Sequence, residues 1–152
     1  MAEPARKALN ESSAVSLHSK RFGDYEVPAE RVLTFPQGLI GFRDARRFAL
    51  LDASRPGSPF RQLVCLDEPE LGFVVCDPVA LWPSYAADLP PPEHGRAEDT
   101  AVLALVTVPS NALEMTANLM APLVVDCQSR TGRQCVLDTG RYSTRHPLLQ
   151  PA

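Results

Sequence analysis

Ser143 and His146 stand three residues apart in YSTRHP, Tyr142 to Pro147, the densest polar cluster of the chain. Their types are those of a nucleophile and its general base. Acyl transfer by such a pair needs the hydroxyl within reach of the imidazole, and a glycine elbow commonly presents the serine. Extended backbone sends residues three apart to opposite faces, and no glycine elbow surrounds Ser143, so the segment reads as a polar surface. Thr144, Arg145 and His146 would then bond to loop carbonyls or offer donors to a partner. A metal site would need three or four converging ligands, whereas His18, His94 and His146 are scattered along the chain. No metal and no cofactor is expected. The stretch FPQGLIGF, Phe35 to Phe42, has neither the GxGxxG nor the GxxxxGK[ST] spacing that places backbone N–H groups around a phosphate. It reads as a turn: Pro36 and Gly38 reverse the chain, Gly41 permits a positive φ, and Phe35 and Phe42 anchor it in the core. The carboxylates Asp67, Glu68 and Glu70 cluster in a turn, where such side chains cap backbone groups. No catalytic constellation emerges, and a chain without chemistry of its own is expected to bind something rather than to be an enzyme.

The elements that position these residues are short. Fifteen prolines leave few windows for a long helix. Apolar runs bounded by turn residues predict strands at 31–35, 47–52, 60–67, 71–77, 100–108, 122–127 and 133–138. The run at 100–108 is apolar throughout, as for a strand covered on both faces. DEPELG, Asp67 to Gly72, predicts one hairpin and Thr131-Gly132 a second. Helix is limited to one or two short turns, with Asn111 as N-cap and Glu114 three residues on in SNALEM, and a further turn at RDARRF after Gly41. The fold class that follows is all-β: a small antiparallel barrel-like single domain.

The chain has 152 residues, 45% hydrophobic and 22% charged, enough for one core, which we place at 19–148 between a flexible tail at 1–18 and a C-terminal tail at 149–152. Leu89 to Asp99 reads as a proline-rich loop projecting into solvent. A net charge of -3 argues against direct nucleic-acid binding. No run resembles a signal peptide or a membrane span, so the expectation is a cytoplasmic protein with no membrane partner. The four cysteines form no CxxC pair and are expected to be thiols, although Cys127 and Cys135 flank SRTGR symmetrically enough to face each other across a hairpin.

In order along the chain, SKRFGDYEV, VLTFPQGLIGFRDARRFALLD, SPFRQLVCLDEPELGFVVCDP and LVTVPSNALEMTANLMAPLVVDCQSRTGRQCVLD, ending in YSTRHPL, resemble the bacterial flagellar assembly factor FliW family over about residues 19–148. The N-terminal tail and PPPEHGRAED depart from the usual pattern, in which a short acidic helical insertion is commoner. The resemblance implies a non-enzymatic barrel with two protein partners. One is flagellin, bound in the cytosol before export; the other is CsrA, the RNA-binding repressor of flagellin translation, which flagellin export frees the factor to antagonise. An apolar groove would suit amphipathic flagellin helices, and Met115, Asn118, Leu119 and Met120 with a polar rim of Tyr142, Arg145 and His146 are the expected contacts, on a factor that is a monomer when free. The rival classes are a small RNA-binding β-barrel regulator and a Ser/His hydrolase built on Ser143 and His146.

Overall fold

The computed structural model describes residues 14–52, 55–92 and 95–149. Among the described residues eleven strands run in chain order: β1 (Val15–Ser19), β2 (Gly23–Val27), β3 (Val32–Thr34), β4 (Arg47–Leu51), β5 (Phe60–Cys65), β6 (Gly72–Cys76), β7 (Thr100–Thr107), β8 (Thr116–Ala117), β9 (Leu123–Asp126), β10 (Thr131–Gln134) and β11 (His146–Pro147). Seven of them close a barrel in the order β3-β4-β5-β6-β7-β9-β10, with β10 returning to β3. Antiparallel neighbours alternate in direction, and an odd number of strands cannot alternate all the way round. One parallel seam is therefore required, and it falls at β10–β3, where Thr131 pairs with Thr34.

Side chains on β4 and β5 alternate between two apolar environments, which is why these strands read as nearly continuous apolar runs. Phe48, Leu63 and Cys65 point into the barrel with Phe35, Leu103, Leu123 and Val125. Ala49, Leu51 and Val64 point outward and are covered by Leu17 and Val27 of the β1–β2 ribbon. Strand β1 thus brings residues 15–18 of the expected tail into the fold, because Leu17 has an apolar face to cover. The rest of that expected tail, residues 1–13, lies outside the described residues, as do Glu93, His94 and residues 150–152.

A second outer cluster covers the far end of β7. Cys76, Ala104, Val106, Ala117, Leu119 and Leu137 pack beneath Trp82 and Tyr85. The two aromatics belong to a helical insertion that the sequence reading left unassigned, an α-helical turn at Pro78–Leu81 followed by a 3₁₀ turn at Pro83–Asp88. Both prolines sit at the start of a turn, where the missing N–H costs nothing. Asp77 caps the first, its Oδ1 accepting from the amides of Val79 at 3.0 Å and Ala80 at 3.2 Å. The expected turn at SNALEM is also present, a 3₁₀ turn at Ala112–Glu114 with Asn111 accepting from the Leu113 amide. RDARRF forms only a hydrogen-bonded turn at Arg43-Asp44, without helix.

Two further expectations change. Thr131 and Gly132 lie inside β10 rather than at the hairpin tip, which is Cys127 to Arg130, closed by the Arg130 amide donating to the Asp126 carbonyl at 2.7 Å. Arg130 adopts φ 58°, left-handed backbone that gives no glycine signal in the sequence. The shift separates the cysteines: Cys127 is exposed with its amide on the Asp99 carbonyl, Cys135 is buried with its amide on the Pro122 carbonyl, and none of the four cysteines is joined in a disulfide. In FPQGLIGF the anchors are Phe35 and Leu39; Phe42 stays 41% exposed, resting edge-on against Phe73, and Ile40 is 61% exposed. Gly38, at φ 70°, has no room for a side chain, since a Cβ there would stand 2.4 Å from the Arg43 carbonyl oxygen.

Candidate partner-binding site

Strand β7 forks. Its first four residues pair with β9, from Thr100 opposite Asp126 to Leu103 opposite Leu123, and close the barrel. Its last two pair with β8, Val106 opposite Ala117 and Thr107 opposite Thr116, and start a leaf that β11 extends through His146 opposite Ala117. Between β8 and β9 the chain must cross from leaf to barrel, and residues 118–122 make that crossing. Backbone bonds fix it: Asn118 donates to Leu105 at 2.8 Å, Leu119 and Met120 both donate to the Ser143 carbonyl, and Leu137 donates to Met120 at 2.7 Å.

This geometry places Asn118, Leu119, Met120 and His146 on the leaf and its crossing, with Met115 next to β8 and Tyr142 and Arg145 in the segment that enters β11. Their roles divide. Leu119 is fully buried in the second outer cluster, so it supports the surface from below rather than meeting a partner. Its carbonyl accepts from the Tyr85 hydroxyl at 2.6 Å. Asn118 also works inside the fold, its Oδ1 accepting from the Ala121 amide at 3.0 Å. Tyr142 is half-buried, its ring edge-on to Tyr85 at 4.8 Å and its hydroxyl donating to the Asp88 carboxylate, which also pairs with Arg141. Burial, and then the bond to Asp88, push the Tyr142 hydroxyl above its ordinary pKa, so it stays protonated at neutral pH. His146 is half-buried, its ring edge-on to Trp82 at 5.0 Å.

Met115 and Met120 remain half-exposed, and Arg145 is exposed with its amide on the Ser143 hydroxyl at 2.9 Å. Ser143 therefore organises the turn that leads into β11, through both its carbonyl and its hydroxyl. The sequence reading missed two exposed apolar side chains on the same stretch of chain, Val108 at 52% and Leu113 at 73%. Their signal was available: apolar residues beside a capped turn that is too short to bury them.

It also missed a groove. An open cavity of about 870 Å³ lies on the outer barrel wall between the start of β5, the Pro78–Leu81 turn, the Leu89 to Pro92 segment and the first residues of β7. A second cavity of about 310 Å³ shares Pro92, Thr100 and Val124 with it and continues onto β10. No group of three or more His, Cys, Asp or Glu side chains able to hold a metal ion occurs among the described residues. The buried Cys76 thiol at the groove's edge is pushed up to about 12 by loss of water and then by Asp77, which makes it a poor nucleophile. No helix among the described residues is long and apolar enough to cross a membrane.

Comparison with known proteins agrees with the architecture. The family model described as FliW protein matches residues 16–148. The flagellar assembly factor FliW of Natranaerobius thermophilus is 36% identical over 141 residues, covering 89% of this chain and 93% of the relative. That of Symbiobacterium thermophilum is 38% identical over 128 residues, covering 81% and 93%. A crystal structure of the flagellar assembly factor FliW superposes with a TM-score of 0.77 at 31% identity, over 90% of this chain and 98% of that one. With a family match across the whole barrel, the leaf and both hairpins, this chain belongs to the FliW family of flagellar assembly factors.

Proposed function

We propose that the chain is a cytoplasmic binding factor without turnover of its own, which holds flagellin before export and antagonises the translational regulator CsrA by partner switching. The observation that carries this reading is the family match over residues 16–148, which includes every strand from β2 to β11 together with the helical insertion. The chemistry of the leaf agrees with it. Ser143 and His146, the residues closest to a nucleophile–base pair, have structural duties in a turn and against Trp82, while Met115, Met120, Leu113 and Arg145 offer adaptable apolar contact beside a cation.

Partner switching is linkage: if two partners exclude each other, the free concentration of one sets the occupancy of the other. Their affinities must lie close together, since a gap of about 1.4 kcal/mol already biases the choice tenfold at equal concentration. The exposed Arg145 side chain makes no hydrogen bond or ion pair among the described residues, and its amide bond to Ser143 survives substitution, so Arg145→Glu tests the leaf without disturbing the fold. Titrations with purified flagellin and with purified CsrA should show at least one affinity reduced about tenfold while the melting temperature stays within a degree or two. Unchanged affinity for both removes Arg145 from the contact surface.

A further inference from the structure

The two edges of strand β7 are not paired alike. On one side its first half meets β9 and its end meets β8. On the other side it meets β6 only at Ala104, Leu105 and Val106, opposite Cys76, Val75 and Val74. A proline ends that ladder. Continued by two residues, β6 would set Pro78 opposite Val102, and a proline has no N–H to give. The chain instead leaves the sheet at Pro78 and enters the helical insertion, with Asp77 as its cap. Strand β5 begins at the same level, where a further pair would set Pro59 opposite Asp77.

The alternation of backbone groups shows what this leaves over. In an antiparallel ladder successive residues bond to opposite sides. The Asp99 and Leu105 carbonyls accept from the Cys127 and Asn118 amides, so the odd-numbered residues of β7 bond toward β9 and β8. The even-numbered residues bond toward β6. Ala104 meets Cys76 there, whereas Val102 directs both its N–H and its C=O to a side that holds no strand. Neither group has a hydrogen-bond partner among the described residues, and Val102 is half-exposed.

The cavity of about 870 Å³ occupies this gap. Four consecutive residues, Thr100 to Leu103, line it. Consecutive strand residues point to opposite faces, so a cavity that touches all four runs along the edge of the strand rather than over one face. Ser58 and Pro59, just before β5, line its opposite side, and Cys76 and Asp77 close one end. These are the neighbours that a longer β6 would have. A strand edge with an unpaired N–H and C=O is the feature that recruits an extended peptide. At about 3.3 Å per residue, Thr100 to Leu103 offer roughly 13 Å of such edge.

Charge then selects among peptides. Arg61 stands opposite Val75 on the inner face of the barrel and lines the same cavity. In an inserted strand, the residues on either side of the one that faces Val102 would also turn inward. Arg61 is exposed and makes no hydrogen bond or ion pair among the described residues beyond a Coulomb interaction with Asp52. The cavity's own carboxylate, Asp77, is engaged in capping Val79 and Ala80. An uncommitted guanidinium beside an open strand edge complements a carboxylate on the incoming strand.

We propose that this notch binds a short acidic peptide segment in extended conformation, which enters the sheet where β6 stops, bonds to the N–H and C=O of Val102 and sets a carboxylate against Arg61. The site is separate from the leaf, and the proposal does not depend on the partners proposed above. The test begins with selection of heptapeptides from a randomised displayed library on the full-length chain. The enriched peptides are then synthesised and titrated by NMR into the isotope-labelled wild-type chain and into Arg61→Glu, Arg61→Lys and Val102→Pro, each checked for an unchanged melting transition. Val102→Pro removes the N–H that faces the notch and spares the β9 ladder, whose bonds come from Ala101 and Leu103. The selected peptides should carry Asp or Glu and should slow hydrogen exchange of the Val102 amide. Arg61→Glu and Val102→Pro should each weaken binding about tenfold or more, while Arg61→Lys stays within about threefold. If Val102→Pro misfolds, the Arg61 variants and the exchange of the Val102 amide decide. A selection that yields no binder, peptides that bind without slowing exchange at Val102, or an Arg61→Glu affinity within about twofold of wild type each overturns the proposal. So does a self-associated chain in which a second copy, with no peptide present, already protects the Val102 amide.

Discussion

Gly132 shows how a single residue can carry the wrong signal for the right reason. After a threonine and between two apolar runs it resembles a hairpin turn, yet it lies within β10, where a Cβ would stand 2.7 Å from the Phe35 ring. The glycine is there for close approach, since the ring occupies the volume a side chain would need. Gly132→Ala should cost about 1–3 kcal/mol in urea unfolding through overpacking. The true turn ends at Arg130, held at φ 58°, so Arg130→Gly should raise stability by about 1 kcal/mol in the same assay by removing left-handed strain. Tyr85 is a residue whose importance no local pattern announces, because its hydroxyl meets the Leu119 carbonyl across 34 positions of sequence. Tyr85→Phe leaves that buried carbonyl without a donor, and about 1–3 kcal/mol of stability should be lost. Among the expected contact residues, chemical type was readable in sequence but depth was not. Leu119 and Met120 look alike as neighbours in the chain, and only the crossing from leaf to barrel buries one and half-exposes the other.

At the scale of elements, strands β4 to β7 were legible because their apolar runs are bounded by turn residues and buried on both faces. The helical insertion was not, because its prolines read as helix breakers when they in fact begin the turns. The acidic turn between β5 and β6 was legible as a capping device, but not in its reach. Glu70 accepts from the amides of Lys20 at 2.8 Å and Arg21 at 2.9 Å, tying down the β1–β2 ribbon, and Asp67 accepts from the amide of Arg47 at 2.9 Å at the start of β4. The Lys20 amide, joined by the Arg21 amide, holds the Glu70 carboxyl below its usual range despite some loss of water. At Asp67 burial works against ionisation, but the Arg47 and Arg46 amides and the Arg47 guanidinium together outweigh it. Both native pKa values are depressed, so this stabilisation is complete above the ordinary carboxylate pKa of about 4 and is lost as pH falls through the lower native values. An acid titration of the urea midpoint should therefore hold level down to about pH 4 and then fall. The doubly substituted Asp67→Asn, Glu70→Gln chain should fall less steeply over that acid range, and an identical slope would remove these carboxylates from the account.

For the whole molecule, every strand of the barrel ring has a neighbour on each side, and its one parallel seam follows from the odd strand count. An all-β barrel was readable from strand number and spacing. Closure was not, because it depends on a single Thr131–Thr34 pairing between segments with no local relation in sequence. Outside the closed wall stand the β8–β11 leaf, on which the proposed partner contact is placed, and the open groove beside the helical insertion. The central claim is that the molecule acts by exchanging protein partners. The most direct measurement is a calorimetric titration of CsrA into the free chain and into the chain saturated with flagellin. The account predicts binding in the first case and a loss of apparent affinity of tenfold or more in the second. Equal CsrA affinity with and without flagellin, or no binding of either protein, would contradict it.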